Sequence, residues 1–181
     1  MSEYKILRYQ PKYFDKWNLF VEQANNGTLF HRLDFLEYHQ DRFAENEHHL
    51  LIFKGDSILG LIPLAIFEKA GKRIAKSPYG GSYGGFVFKS ALNYKSSKLI
   101  VAEFLRYLHH IGIDEIYITP TISDFCSVVC DTVLFSMLEA GFKTSSSDVT
   151  SIVLLGGGRY YSKFIFVAST KCHSKSKNRR N

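Results

Sequence analysis

The chain has 181 residues, of which 45% are hydrophobic and 15% aromatic, so it suits one compact domain and is not a disordered chain. All 17 acidic residues lie at or before Asp148, together with 16 of the 23 basic residues, so the body is close to neutral and only the end is basic. This distribution argues against a domain built to neutralise many nucleic-acid phosphates.

The sequence contains no segment that predicts a membrane span or a secretory signal. Its longest apolar run, residues 58–67, is too short to cross a bilayer as a helix. The first residues lack a basic segment that leads into an apolar one. We therefore expect the protein in the cytoplasm, with the inner membrane surface as a second option.

The first half of the chain predicts a strand, two helices and a hairpin. Residues 4–9 alternate loosely as in a strand, and a helix follows Pro11, with apolar residues at helical spacing up to Ala24. A second helix is predicted over residues 31–43. Strands over residues 49–54 and 57–62 flank Gly55-Asp56, which fits a two-residue type II′ turn, and Pro63 indicates an edge or a bulge.

The second half predicts further strands that alternate with helices. A turn near residue 71 leads into a short strand at 73–75, and another strand covers residues 86–88. The later elements are a helix over 96–111, a strand over 115–119, a helix over 124–140 and a strand over 151–155. The order β-α-α-β-β-β-α-β-α-β predicts an α/β (α+β) domain, residues 1–155, with a mixed sheet and helices on both faces. Residues 156–181 are predicted to be an irregular, basic, disordered tail.

The three cysteines are Cys126, Cys130 and Cys172. An odd number of cysteines in a reducing compartment argues against a disulfide framework. Cys126 and Cys130 share one face of the predicted fourth helix, where they could form half a metal site or pack in the core. Because no second Cys/His pair lies near them in the sequence, we favour core packing.

A loop rich in glycine and tyrosine precedes the strand at 86–88. It reads Ser77, Pro78, Tyr79, Gly80, Gly81, Ser82, Tyr83, Gly84 and Gly85. Glycine permits close approach of a backbone, and tyrosine offers a ring and a hydroxyl. The loop is therefore either the wall of a ligand groove or a tight corner packed on the sheet. Its place before a strand, rather than before a helix, argues against a phosphate cradle.

Three segments resemble the FemAB-like acyltransferases, a GNAT-like branch of the acyl-CoA N-acyltransferase superfamily. They are Asn-Gly-Thr-Leu-Phe-His at 26–31, Gly-Leu-Ile-Pro-Leu at 60–64 and the Ser-Pro…Tyr-Gly-Gly loop at 77–85. The resemblance covers residues 13–155 and implies a GNAT-like fold. Family members usually carry two GNAT-like halves, and this chain resembles the first half only, as a truncated, split or frameshifted gene product would.

The resemblance implies transfer of an acyl or aminoacyl group to an amine of a cell-envelope precursor, either peptidoglycan or polysaccharide. Such a transfer needs a proton acceptor and donors for an oxyanion. We assign catalytic roles to His31 and Tyr83 and count the N–H groups of the loop glycines as oxyanion donors. The substrate-binding candidates are Phe30, Tyr38, Ser77, Pro78, Tyr79, Gly80, Gly81, Tyr83, Gly84 and Gly85.

His31 allows two interpretations. At a helix start, the helix dipole would lower the pKa of its imidazole and favour the neutral base. A hydrogen-bonded residue of the helix cap is the alternative, and histidine at such a position more often has that structural role.

The acyl donor remains open between acyl-CoA and aminoacyl-tRNA, and no cofactor is firmly implied. A standard GNAT domain holds the acyl-CoA pyrophosphate on a glycine-containing loop after its fourth strand. The matching loop at residues 89–94 has no glycine, so we expect no acetyl-CoA bound in the usual way. The expected partners are a small or lipid-linked amine acceptor, a tRNA, or a chain that carries the second half.

Two other classes of function stay open. The chain could be a non-catalytic GNAT-like scaffold that needs a partner half. It could also be a tRNA- or RNA-binding module that uses the basic tail.

Overall fold

The computed structural model describes residues 3–152 and 165–175 of the chain. The strands are β1 Tyr4–Arg8, β2 Leu50–Lys54, β3 Ser57–Ile62, β4 Ala65–Lys69, β5 Lys72–Ser77, β6 Val87–Phe88, β7 Glu115–Ile118, β8 Lys143–Ile152 and β9 Ile165–Lys175. The helices are α1 Phe14–Glu22, α2 Leu33–Leu36, α3 Gln40–Phe43, α4 Tyr94–His110 and α5 Thr132–Glu139. Within these ranges, no helix is long and apolar enough to cross a membrane.

The strands form two sheets. One has the order β1-β2-β3-β6, and the other has the order β4-β5-β7-β9-β8. The β5–β7 pair is parallel and the remaining pairs are antiparallel. The predicted mixed β-structure is therefore confirmed.

The helices cover both faces of the sheets, as predicted. Side chains of β2 alternate between the faces, because successive residues of a strand point in opposite directions. Leu50 and Ile52 pack in the cluster that contains α4, whereas Leu51 and Phe53 pack in the cluster that contains α1. The buried apolar residues of α4 are Ile100, Val101, Phe104 and Leu108. Those of α1 are Trp17, Phe20 and Val21.

The chain changes sheets at Pro63, where the sequence predicted an irregularity. β3 ends at Ile62 in the first sheet, and β4 begins at Ala65 in the second. β4 then forms a hairpin with β5, whereas the sequence pattern did not separate β4 from the preceding strand. Since proline cannot donate to a strand ladder, it suits this break.

The predicted second and fourth helices are shorter than expected. The stretch predicted as a helix over 31–43 contains α2, α3 and short 3₁₀ turns, and Arg32 has extended backbone angles of φ −76° and ψ 136°. The predicted helix over 124–140 is α-helical only as α5, and a 3₁₀ turn, Ser123–Phe125, and an extended Cys126 precede it. The Val128 N–H and carbonyl instead bond the Asn25 side chain. These long-range bonds replace the helical bonds that periodicity alone predicts.

The end of the chain contains a strand where the sequence predicted an irregular tail. β9 pairs with β7 from Glu115 to Ile118 and with β8 along most of its length. Residues 165–173 pair with β8 and residues 172–175 pair with β7, so a neighbour holds β9 along its whole length, which a count of apolar residues does not anticipate. The remainder of the predicted tail and residues 153–155 of the predicted last strand lie outside the described residues.

Candidate functional site

The loop at residues 77–85, which we call the glycine-tyrosine loop, is closed at its base by hydrogen bonds of Ser77. The Ser77 hydroxyl donates to the Pro63 carbonyl and accepts a hydrogen bond of 2.7 Å from the Gly85 N–H. The Gly84 N–H donates to the Thr119 carbonyl at 2.8 Å. Ser77 is buried, so its side chain holds the loop on the side that faces the protein interior. The N–H groups of Gly84 and Gly85 are used inside the fold and do not point at a substrate, contrary to their predicted role as oxyanion donors.

Gly84 lies where no side chain fits. A Cβ atom at this position would be 2.6 Å from both the Pro78 nitrogen and the Ser77 Oγ. Real Cβ contacts are longer than 3.0 Å, and the Pro78 nitrogen is backbone, so it cannot rotate away. Gly84 is therefore required for the two ends of the loop to touch.

The tip of the loop packs on the segment that precedes α2. A Cβ atom at Gly81 would lie 2.8 Å from the Phe30 Cδ1. The Tyr83 ring meets Phe30 edge to face with 5.9 Å between centroids, and it meets Phe125 at 5.8 Å. Tyr83 is buried together with Ile122. Its ring therefore supports the loop from the side rather than facing solvent.

His31 is fully buried and belongs to a hydrogen-bonded cap, as the structural alternative predicted. Its Nδ1 accepts a 3.1 Å hydrogen bond from the Thr28 N–H and lies 2.9 Å from the Thr28 Oγ1. Its Nε2 makes no hydrogen bond with any described residue, although the Gly84 backbone is near enough to favour protonation slightly. Burial lowers the pKa of His31 to about 4. The cause is thus desolvation and not a helix dipole, since only a three-residue 3₁₀ turn begins there.

We expect His31 to make the protein less stable in acid. The unfolded chain takes up a proton near pH 6.5, whereas folded His31 takes it up only near pH 4. The contribution to stability is therefore complete above pH 6.5 and is lost as the pH falls to 4, by about 3 kcal/mol. Urea unfolding of wild type and His31→Gln from pH 7 to pH 4 should show a smaller pH dependence in the variant. NMR should show a neutral imidazole down to about pH 4, and protonation near pH 6.5 would contradict this assignment.

Tyr79 belongs to a buried polar cluster that the sequence did not predict. Its hydroxyl donates to the Glu47 Oε1 at 2.9 Å and lies 3.3 Å from the His49 Nε2. Burial, and then the charge of Glu47, raise the pKa of Tyr79. Burial also raises the pKa of Glu47, but the nearby His49 imidazole, whose Nε2 lies 3.6 Å from the Glu47 Oε2, and the hydrogen bond from Tyr79 outweigh it and leave that pKa lowered. The only hint in the sequence was His49, which directly precedes the apolar residues of β2.

A groove of about 680 Å³ opens beside the loop. It is lined by Phe30, Phe43, Phe67, Lys76, Pro78, Tyr79, Gly80, Gly81 and Ser82. We call it the aromatic groove, because rings form much of its wall and the Lys76 Nζ lies 5.5 Å from the centroid of the Phe67 ring. Five of the predicted substrate-binding residues line it, namely Phe30, Pro78, Tyr79, Gly80 and Gly81. Among the described residues, the lining includes no carboxylate and no imidazole.

Tyr38 does not belong to the aromatic groove. Its side chain is 84% exposed on the 3₁₀ turn Glu37–His39, and it is absent from the groove lining. At helical spacing Tyr38 lies on the face opposite Leu33 and Leu36, which are buried, so its exposure follows from the same pattern. Its predicted role in substrate binding finds no support in this position.

A second, smaller cavity of about 140 Å³ lies between β6 and α5. Cys126 and Cys130 both line it, but they precede α5 and do not share a helix face, contrary to the prediction. The Cys126 Sγ donates to the Ile122 carbonyl at 3.7 Å, and the Cys130 Sγ donates to the Leu92 carbonyl at 3.4 Å. Within the part of the chain that the structure describes, no group of three or more His, Cys, Asp or Glu residues could hold a metal ion.

Among solved structures, the chain as a whole is similar to acetyltransferases. The chain is similar to the acetyltransferase of the GNAT family from Streptococcus pneumoniae, with a TM-score of 0.56 and 15% identity over 96% of this chain and 100% of that one. It is similar to the aminoglycoside N(6')acetyltransferase from Legionella pneumophila, with a TM-score of 0.59 and 9% identity over 96% and 92% of the two chains. It is also similar to the Bacillus subtilis acetyltransferase in complex with CoA, with a TM-score of 0.56 and 14% identity over 96% and 99%.

These similarities establish the fold. At identities of 15% and below they show architecture alone, and the chain therefore has the GNAT-like fold that the resemblance of its sequence segments implied. No family model and no curated protein sequence matches the chain.

Proposed function

We propose that this chain is an N-acyltransferase of the FemAB-like type that binds an amine acceptor in the aromatic groove. The acceptor is a peptidoglycan or polysaccharide precursor of the cell envelope, and the transferred group is acyl or aminoacyl. The fold supports the general class of N-acyltransferase. The finer assignment rests on the resemblance of three sequence segments to FemAB-like proteins.

The observation that carries the proposal is that the loop at 77–85 contacts both of the other segments and lines the aromatic groove together with Phe30. Ser77 bonds the Pro63 carbonyl, which joins the loop to the segment at 60–64. Phe30, from the segment at 26–31, packs against Gly81 and Tyr83 of the loop. Two segments that are far apart in the sequence thus line one groove, and the segment at 60–64 supports the loop without lining the groove.

The groove suits an acceptor that combines flat or apolar faces with negative charge. Aromatic rings such as Phe67 and Tyr79 offer surfaces on which a sugar ring or a peptide can stack. The Lys76 ammonium adds a positive charge at the same place. A nucleotide- or lipid-linked envelope precursor carries a diphosphate next to its sugar, so it meets both requirements.

In the proposed reaction, a neutral acceptor amine attacks the acyl carbonyl carbon. A carbon–nitrogen bond forms, the ester carbon–oxygen bond of an aminoacyl donor breaks, and the amine proton leaves as the leaving oxygen gains one. His31 is buried behind the loop and the Tyr83 side chain is buried within it, so we propose that they hold the loop in position rather than transfer this proton. Tyr79 presents its ring to the acceptor while Glu47 fixes its hydroxyl.

A second candidate is a non-catalytic scaffold that binds the acceptor for a partner half. It is favoured by the absence of any carboxylate or imidazole among the described residues that line the groove. Both candidates require acceptor binding. They differ in whether the chain, alone, transfers labelled amino acid from aminoacyl-tRNA to the acceptor.

We expect a soluble, nucleotide-linked peptidoglycan precursor with a free side-chain amine to bind the full chain. Lys76→Ala should weaken that binding five- to tenfold at low salt and less at high salt, because a charge contact at the surface is screened. Isothermal titration calorimetry measures this effect. Lys69→Ala, on the neighbouring strand β4 and outside the groove lining, is the matched control. Equal affinity of the Lys76 and Lys69 variants would exclude the aromatic groove as the acceptor site.

A further inference from the structure

Strands β6 and β7 separate past the glycine-tyrosine loop and leave a cleft between them. β5 pairs with β7 as far as Ser77 opposite Ile118, and Gly84 still bridges to Pro120. Beyond that point β6 pairs only with β3, and β6 and β7 are not neighbours in either sheet. We call this gap the β6–β7 cleft. It lies beside the loop at 89–94, since Ser90, Ala91 and Leu92 line its cavity.

The chain itself occupies the β6 side of the cleft. The Asn25 N–H donates to the Phe88 carbonyl at 2.8 Å. The Asn26 Nδ2 donates to the Phe86 carbonyl at 2.7 Å, and the Asn26 Oδ1 accepts from the Phe88 N–H at 2.9 Å. Together, these bonds satisfy the edge of β6 that faces away from β3, as an added strand would.

The same two asparagines also bond the opposite wall. The Asn25 carbonyl accepts from the Ser127 N–H at 2.8 Å. The Asn25 side chain accepts from the Val128 N–H at 2.6 Å and donates to the Val128 carbonyl at 2.8 Å. The Asn26 carbonyl accepts from the Thr121 hydroxyl at 3.1 Å. The segment is thus hydrogen-bonded on both sides of the cleft.

The space that remains does not fit a coenzyme A donor. The cavity measures about 140 Å³, whereas pockets for ligands of drug size start at roughly 300 Å³. The loop at 89–94 has no glycine, and the Asn93 side chain already accepts a hydrogen bond from the Ser96 N–H at the start of α4. The loop therefore lacks the glycine backbone that usually holds a pyrophosphate, the Ser96 N–H at the helix start is already capped, and the cavity is too small for a pantetheine arm.

We infer that Asn25–Asn26 is a built-in occupant of the β6–β7 cleft and excludes acyl-CoA donors from it. A pantetheine arm carries secondary amides that would pair with a strand edge, and the asparagines already hold that edge. Entry of the arm would break bonds to both walls. The inference stands independently of the proposed acyl transfer, because it concerns binding to a different surface.

Hydrogen exchange of the full chain, with and without millimolar CoA, tests this inference. We expect slow exchange at the Phe88, Ser127 and Val128 amides, no change on addition of CoA, and no shift of the unfolding temperature. Micromolar binding of CoA with altered exchange at these three amides would overturn it.

An asparagine variant provides the second arm of the test. Asn26→Ala removes the two side-chain bonds to β6, so exchange at the Phe88 amide should rise at least tenfold. Asn46→Ala is the matched control, because the Asn46 Nδ2 makes one comparable bond of 2.9 Å to the Ile66 carbonyl, outside the cleft lining. Unchanged exchange at Phe88 in folded Asn26→Ala would contradict the proposed role of the segment.

Discussion

Gly84→Ala should destabilise the fold by about 4 kcal/mol, since overpacking costs 1–3 kcal/mol and the loss of buried hydrogen bonds adds to it. The new Cβ would lie 2.6 Å from the Pro78 nitrogen, so the backbone must move. The movement separates the Gly84 N–H from Thr119 and the Gly85 N–H from Ser77. Chemical denaturation measures the change in unfolding free energy, and the same variant should lose acceptor binding.

Gly55→Ala is the control for the Gly84 variant. Gly55 lies in the β2–β3 turn with a positive φ of 58°, and no atom lies within 4 Å of the position that a Cβ would take there. Alanine at this position should cost only about 1 kcal/mol, from the left-handed backbone alone. A Gly84→Ala protein that is as stable as Gly55→Ala would show that the two ends of the loop are not in contact.

Trp17→Ala should cost about 3–5 kcal/mol, as is typical when a large buried aromatic residue is truncated. Trp17 is fully buried, and its Nε1 donates to the His31 carbonyl at 2.7 Å. Its ring also contacts Tyr9 and His49, with centroids at 5.6 and 5.5 Å. One side chain of α1 thus supports both the segment before α2 and the polar cluster at Tyr79.

Trp17→Phe separates packing from the hydrogen bond. Phenylalanine keeps a six-membered ring in the site but removes the N–H donor and the volume of the second indole ring, so we expect a loss of about 2–3 kcal/mol, smaller than that of Trp17→Ala. Urea unfolding of both variants gives the comparison. If Trp17→Phe is as unstable as Trp17→Ala, the hydrogen bond to His31 dominates and the packing of the ring does not.

Periodicity predicted the parts of the fold that depend on local burial. The apolar run from Leu50 to Phe53 and the apolar stripe of α4 are visible in the sequence because each residue's environment follows from its neighbours. The segment around Val128 could not be predicted in this way. Its backbone bonds the Asn25 side chain, 103 residues away, and no local pattern reports such a bond.

The candidate site was also predicted only in part, because some of its residues follow from local patterns and others from long-range contacts. Glycine and tyrosine at 79–81 indicated a groove wall, and these residues line the aromatic groove. The roles of Ser77 and His31 depend on burial and on contacts with residues far away in the sequence, such as the hydrogen bond from Ser77 to Pro63. Lys76 and Phe67 join the groove only because β4 and β5 pair, in a hairpin that the sequence pattern did not resolve.

Amide NMR mapping tests most directly whether the aromatic groove, rather than the β6–β7 cleft, is the ligand site. The full chain is titrated separately with the nucleotide-linked peptidoglycan precursor and with CoA. We predict that the precursor shifts the amide signals of Lys76, Gly80 and Gly81, and that CoA shifts none. Shifts at Asn25 and Val128 on addition of CoA, with no response of the groove to the precursor, would contradict the proposed assignment of the two surfaces.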